Sequence, residues 1–120
     1  MIERQMREQT DAVLLRVFVG EEDQYHGQPL YRAIVRKALE QKLDGATVLP
    51  GPDGFGQSRH VRSELSIDAG PRSPMIVEIV DREERINGFL PYLQDMVDSG
   101  LMTLEKVRAI RYRREQAARQ

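Results

Sequence analysis

The sequence predicts an α+β fold, a ferredoxin-like βαββαβ sandwich with one extra hairpin strand, and three observations point there. Residues 13–19 and 75–80 are dense in Val, Leu, Ile, Phe and Met, each run broken by one charge, Arg16 or Glu78. Strands covered on both faces read this way. Each run is followed by a segment with apolar residues at helical spacing. The whole order is strand, helix, strand, extra strand, strand, helix, strand, which is two βαβ halves with an insertion.

Residues 1–11 are polar and mixed in charge, with only Ile2 and Met6 to bury, so a flexible arm, loose or helical, is expected there. The folded domain is expected over residues 12–112, with a polar tail over 113–120. After the first strand the chain breaks at Gly20, passes through an acidic, aromatic loop, and starts a helix at Pro29, a residue suited to a first turn. Leu30, Ile34 and Ala38 form one row of that helix; Val35, Leu39 and Leu43 form the next, and Gly45 is the expected left-handed stop. Residues 46–49 make a short strand, and G-P-D-G-F-G-Q-S-R at 51–59 reads as a loop. Residues 60–67 alternate, Val61, Ser63, Leu65 and Ile67 against His60, Arg62, Glu64 and Ser66, as a half-exposed hairpin strand does.

Asp81 and Glu84 have capping-box spacing ahead of the second helix, whose buried face is read as Ile86, Phe89, Leu90, Leu93, Met96 and Val97. Pro91 is expected to kink it and Ser99-Gly100 to end it. Residues 104–112 form the last strand. Leu14 and Phe18 share one face of the first strand, while Leu15, Val17 and Val19 share the other. Two helices can cover only one face, so self-association over the second is predicted.

Composition narrows the functional classes. The chain has 120 residues, 40% hydrophobic and 31% charged, which suits one soluble domain. A net charge of -1 gives no basic surface for nucleic acid. No run approaches the ~20 apolar residues of a membrane span. Without cysteine there is no thiol nucleophile or thiolate metal site. A nucleophile-elbow G-x-S-x-G is also missing, and no nucleophile, base and acid stand out together, so an enzyme is not expected. A cytoplasmic protein is.

Several ordered pieces resemble the DUF190 family, a group of PII-like proteins. They are G-E-E-D-Q-Y-H-G-Q-P-L-Y at 20–31, D-G-A-T-V-L at 44–49, G-F-G at 54–56, I-V-E-I-V-D at 76–81 and L-E-K-V-R at 104–108. The resemblance covers about residues 13–112. It implies a ferredoxin-like protomer in a homotrimer with sheets facing inward. It further implies an adenine nucleotide bound between protomers, a loop over residues 50–74 that grips a partner, and a partner of the transporter or channel kind. The lysine-rich phosphate loop of PII proteins would fall at 98–103, where D-S-G-L-M-T has no lysine or arginine.

Candidate ligand residues follow. Gly54 and Gly56 let backbone approach a ligand while Phe55 stacks on a base; the alternative is a bend whose Phe packs on a neighbouring protomer. Arg59, His60 and Arg62 with Arg108, Arg111 and Arg113 suit an anion between protomers, or else are surface charges paired with Glu64, Glu78 and Glu105. Glu21, Glu22, Asp23 and His26 supply metal-ligand types without metal-site spacing, and a solvated loop whose carboxylates favour the start of the coming helix is the better reading of them. A metal-binding trimer resembling copper-tolerance proteins would use His26, His60 and that loop. A ligand-free interaction module is the third reading. The ligand site is placed on Glu21, Tyr25, Gly54, Phe55, Gly56, Arg59, His60 and Arg111.

Overall fold

The structure of the chain, a computed structural model, describes residues 4–51 and 73–115. In chain order the elements are β1 (Arg4–Gly20), β2 (Gln24–Tyr25), β3 (Gln28–Pro29), α1 (Leu30–Glu40), β4 (Thr47–Pro50), β5 (Pro74–Asp81), α2 (Glu83–Met96) and β6 (Leu101–Glu115). One antiparallel sheet has the order β4-β5-β1-β6. β4 therefore runs parallel to β1 with β5 between them, which is the split βαβ arrangement expected. The expected hairpin strand over 60–67 lies outside the described residues.

Both helices pack on one face. Val13, Leu15, Val17 and Val19 of β1 and Met75, Val77 and Ile79 of β5 meet Leu30, Ala33, Ile34 and Ala38 of α1 and Ile86, Phe89, Leu93 and Met96 of α2. The helix faces follow the apolar spacing, with one correction in α1. Leu39 is 75% exposed and Ala33 is buried in the stripe instead. In the last turn, which ends at Glu40, Ala38 points into the core and Leu39 away from it.

That stop differs from the expected one. Lys42, not Gly45, takes the left-handed conformation, at φ 62°. The Lys42 N–H donates to the Leu39 carbonyl at 3.0 Å and the Leu43 N–H to the Ala38 carbonyl at 3.1 Å. These two bonds form a Schellman close that satisfies the last carbonyls and tucks Leu43 back toward the core. At the far end of α2, Gly100 is needed for close approach, since a Cβ there would lie 2.9 Å from the Phe18 carbonyl oxygen. α2 itself runs unbroken from Glu83 to Met96 with Pro91 exposed inside it.

Residues 4–11 are not a loose or helical arm. They extend β1, pairing with residues 108–115 of β6. The result is a two-stranded ribbon continuing past the sheet, and β1 alone, at ~3.3 Å per residue, accounts for most of the 59 Å long axis. Complementary charge explains why so polar a segment forms strand. Glu8 stands opposite Arg111 and Asp11 opposite Arg108, cross-strand pairs that favour the ladder. That signal lies in a partner about a hundred residues away and is absent from the local pattern.

Candidate functional site

Where the ribbon leaves the sheet, its inner surface meets the α1–β4 connection and the β5–α2 junction. A cleft of about 330 Å³ opens there, lined by Glu8, Asp44, Asp81 and the four arginines 82, 85, 111 and 113, among others. Its floor is built on Asp81, the last residue of β5, only 5% exposed. That carboxylate accepts the Arg82 N–H at 2.8 Å, the Asp44 N–H at 3.0 Å and Arg85 Nε at 3.1 Å. Burial pushes its pKa up, but the two backbone donors and the Arg85 guanidinium outweigh this and hold it below the usual carboxylate value. Arg85 Nη2 also donates to the Lys42 carbonyl. One buried anion thereby ties α2 to the chain that leaves α1.

This replaces the expected capping box. Arg82, not Asp81, occupies the cap of α2, with no side-chain bond, and the Arg85 and Ile86 N–H groups reach the Arg82 carbonyl. Asp81 is drawn instead to Arg85, four residues on, a pairing whose spacing is visible in the sequence.

The outer wall carries the other arginines. Arg111 Nη2 meets Asp44 Oδ2 at 2.8 Å, with the two side chains 49% and 48% exposed. Arg113 Nη2 lies 3.5 Å from Glu8 Oε1, and Arg82 Nε 3.9 Å from Glu84 Oε2. So Arg111 and Arg113 pair with Asp44 and Glu8 rather than with Glu78 or Glu105, and Glu64 lies outside the described residues. Glu78 and Glu105 both face Arg16, at 2.8 and 3.5 Å.

Glu21 and Tyr25 are far from this cleft. Glu21 follows the end of β1, whereas Arg111 pairs with Glu8. Twelve strand residues separate the two ends, roughly 40 Å along β1. The acidic, aromatic loop is itself a miniature hairpin. His26 and Gly27 form its two-residue turn at φ 50° and 81°, both positive as the type I′ turn of tight hairpins requires. The Tyr25 and His26 rings stack with centroids 4.0 Å apart. Asp23 closes the bend, its Oδ2 accepting the Gly20 N–H at 2.8 Å while its own carbonyl accepts the Leu30 N–H at 2.8 Å. Glu21 is exposed. Among the described residues no group of three or more His, Asp or Glu could hold a metal. Gly54, Phe55, Gly56, Arg59 and His60 lie outside the described residues.

The sheet face away from the helices carries an apolar row. Registration aligns Leu49, Ile76, Phe18 and Leu101 across all four strands. Leu49 and Leu101 at its ends are 40% and 58% exposed. The next row holds Thr47, Glu78, Arg16 and Thr103, with the Arg16–Glu78 pair at its centre. This is the second apolar face that two helices leave uncovered. No described helix is long and apolar enough to cross a membrane.

The fold has solved counterparts. One is CPII of Thiomonas intermedia K12, a nitrogen regulatory PII-like protein bound to ADP, AMP and bicarbonate. The match has a TM-score of 0.56 at 11% identity and covers 85% of this chain and 91% of that one. Another is a putative PII-like signaling protein from Thermus thermophilus, with a TM-score of 0.57 at 16% identity over 86% and 91% of the two chains. These likenesses establish a PII-like fold. In sequence the chain is 36% identical to a UPF0166 protein of Aquifex aeolicus (strain VF5) over 97 residues, covering 81% of this chain and 91% of the relative. A UPF0166 protein of Methanocaldococcus jannaschii is 33% identical over 97 residues, covering 78% and 86%. The model of DUF190 (Uncharacterized ACR) matches residues 12–109, and with that span matched, the chain belongs to the DUF190 family.

Proposed function

We propose that this chain is a PII-like regulator rather than an enzyme, a cytoplasmic homotrimer that binds an adenine nucleotide between protomers. The observation that carries this reading is the apolar row Leu49, Ile76, Phe18 and Leu101 on the uncovered sheet face. A row of that kind is stable in water when other copies cover it. The PII-like fold, shared with a protein bound to ADP, AMP and bicarbonate, supports the choice of ligand class. Arg111 and Tyr25 sit at opposite ends of β1, so they serve one ligand only when different protomers supply them. Gly54, Phe55, Gly56, Arg59 and His60 of the 50–74 segment, with Glu21, complete the proposed site. Nucleotide then alters that segment's grip on a partner, a transporter or channel, to the extent that it binds one of its states better.

The assignment of Arg59 and Arg111 is tested by titrating ADP and ATP into the wild-type chain and into R59A/R111A. Removing two guanidinium–phosphate contacts is expected to weaken binding by about a hundredfold, with the sedimentation coefficient unchanged. Equal affinity in the two proteins would remove both arginines from the site.

A further inference from the structure

Among the described residues β6 contributes no side chain to the hydrophobic core, although its partner β1 supplies Val13, Leu15, Val17 and Val19. Register places Met102, Leu104 and Lys106 opposite Val17, Leu15 and Val13, hence on the helix-covered face of the sheet. Alternation puts Arg108, Ile110 and Tyr112 on that face too. The helices do not reach them. The four apolar side chains are 39–57% exposed, and both cations are exposed. The result is a stripe roughly 33 Å long, two apolar residues at each end and two cations at its centre. Arg111 and Arg113 alternate with these positions and take no part in it. Glu105, opposite Leu14, lies on the other face, and the paired strands offer one acid beside the stripe, Asp11 opposite Arg108. β6 is also the last strand of the sheet, so among the described residues its outer edge is unpaired.

We propose that β6 is a docking edge for an acidic, extended segment of a partner protein, which adds a strand to the sheet and lays alternate side chains along the stripe. This docking needs neither the nucleotide nor the 50–74 segment. Charge and shape select the occupant. Cationic residues do guard sheet edges, but a guarded edge does not carry four large apolar side chains in line with its cations. A second copy offering the same stripe would set Lys106 and Arg108 against their own kind, which is unfavourable. A bilayer is flat, and helices about 10–12 Å across stand on this face of the sheet, holding a flat surface off Met102 and Leu104. A single strand fits the step, about 4.8 Å beyond β6. Backbone bonds along the edge then supply affinity, and alternate side chains supply specificity. At every second position the partner strand should read apolar, apolar, acidic, acidic, apolar, apolar, matching Met102 to Tyr112.

The probe is a synthetic peptide of that pattern, Val-Thr-Ile-Ser-Glu-Thr-Glu-Ser-Ile-Thr-Val, titrated calorimetrically into the full chain without nucleotide. Saturable binding, one peptide per protomer, is expected. Replacing both glutamates of the peptide with lysine should weaken it by about tenfold or more. Lys106→Glu/Arg108→Gln should reverse the preference and favour the lysine peptide; glutamine at 108 avoids setting two acids face to face across Asp11. Leu104→Ser/Ile110→Ser should weaken the glutamate peptide by about tenfold with the circular dichroism of the wild type. N-methylation of alternate peptide amides should abolish binding for the set that faces β6 and spare the other set. The proposal is overturned if the glutamate peptide shows no saturable binding to the wild type, if the two peptides bind equally, or if the charge variant keeps the original preference. Tolerance of both methylated sets would overturn it as well, since no strand is then added. ADP affinity enters none of these outcomes, so the nucleotide reading stands or falls separately.

Discussion

Phe89→Ala is expected to lower the unfolding free energy by about 3–5 kcal/mol, the cost of a large cavity in a packed core. Phe89 is 1% exposed at the centre of α2's inner face, among the apolar residues of β1 and β5. Its loss removes both its transfer from water and the contacts of every side chain around it. For a domain whose whole stability is about 5–15 kcal/mol, that is a large share. Leu39→Ala is the internal control. Leu39 stands 75% exposed, so its truncation should change stability by no more than about 0.5 kcal/mol. Urea denaturation followed by circular dichroism measures both. Equal costs for the two variants would show that the helices do not pack as described.

Asp81→Ala is expected to cost about 2–4 kcal/mol at neutral pH, because it strands two backbone N–H groups and the Arg85 guanidinium that its carboxylate satisfies. The cost should also depend on pH in a definite direction. Asp81 is held below the usual carboxylate pKa in the folded chain. Its ionisation therefore contributes stability that is fully present above the unfolded value, about 3.9. The contribution is lost as pH falls through the lower folded value. The gap between wild type and Asp81→Ala should accordingly be full at pH 7 and narrow below about pH 4. A gap of the same size at pH 7 and pH 3 would mean that the charge of Asp81 holds nothing.

Most of the fold is legible in the chain because its signals are local. The apolar runs at 13–19 and 75–80, and the spacing of Ile86, Phe89, Leu93 and Met96, place the central strands and the face of α2. The doubly apolar strands likewise disclose the uncovered row through Phe18 and Ile76. What escapes depends on residues distant in sequence. The strand character of residues 4–11 comes from β6, whose Arg108 and Arg111 face Asp11 and Glu8. Asp44 gains its role from Arg111, 67 positions away. Asp81 is misread as a helix cap because Asp-x-x-Glu describes the local chain and knows nothing of the Asp44 N–H behind it. Of the cleft's arginines, Arg111 and Arg113 are named from sequence only within a larger set, Arg59, His60, Arg62, Arg108, Arg111 and Arg113, read as anion-suited or as surface charges. Arg82 and Arg85 are not, although the Asp81–Arg85 spacing carries a signal.

Sedimentation velocity of the full chain with ADP, recorded separately at protein and nucleotide wavelengths, tests the proposed trimer and its ligand together. Nucleotide absorbance moving with a boundary of trimeric mass is the expected result. A monomeric boundary that leaves ADP behind would contradict both the inward-facing assembly and the site between protomers.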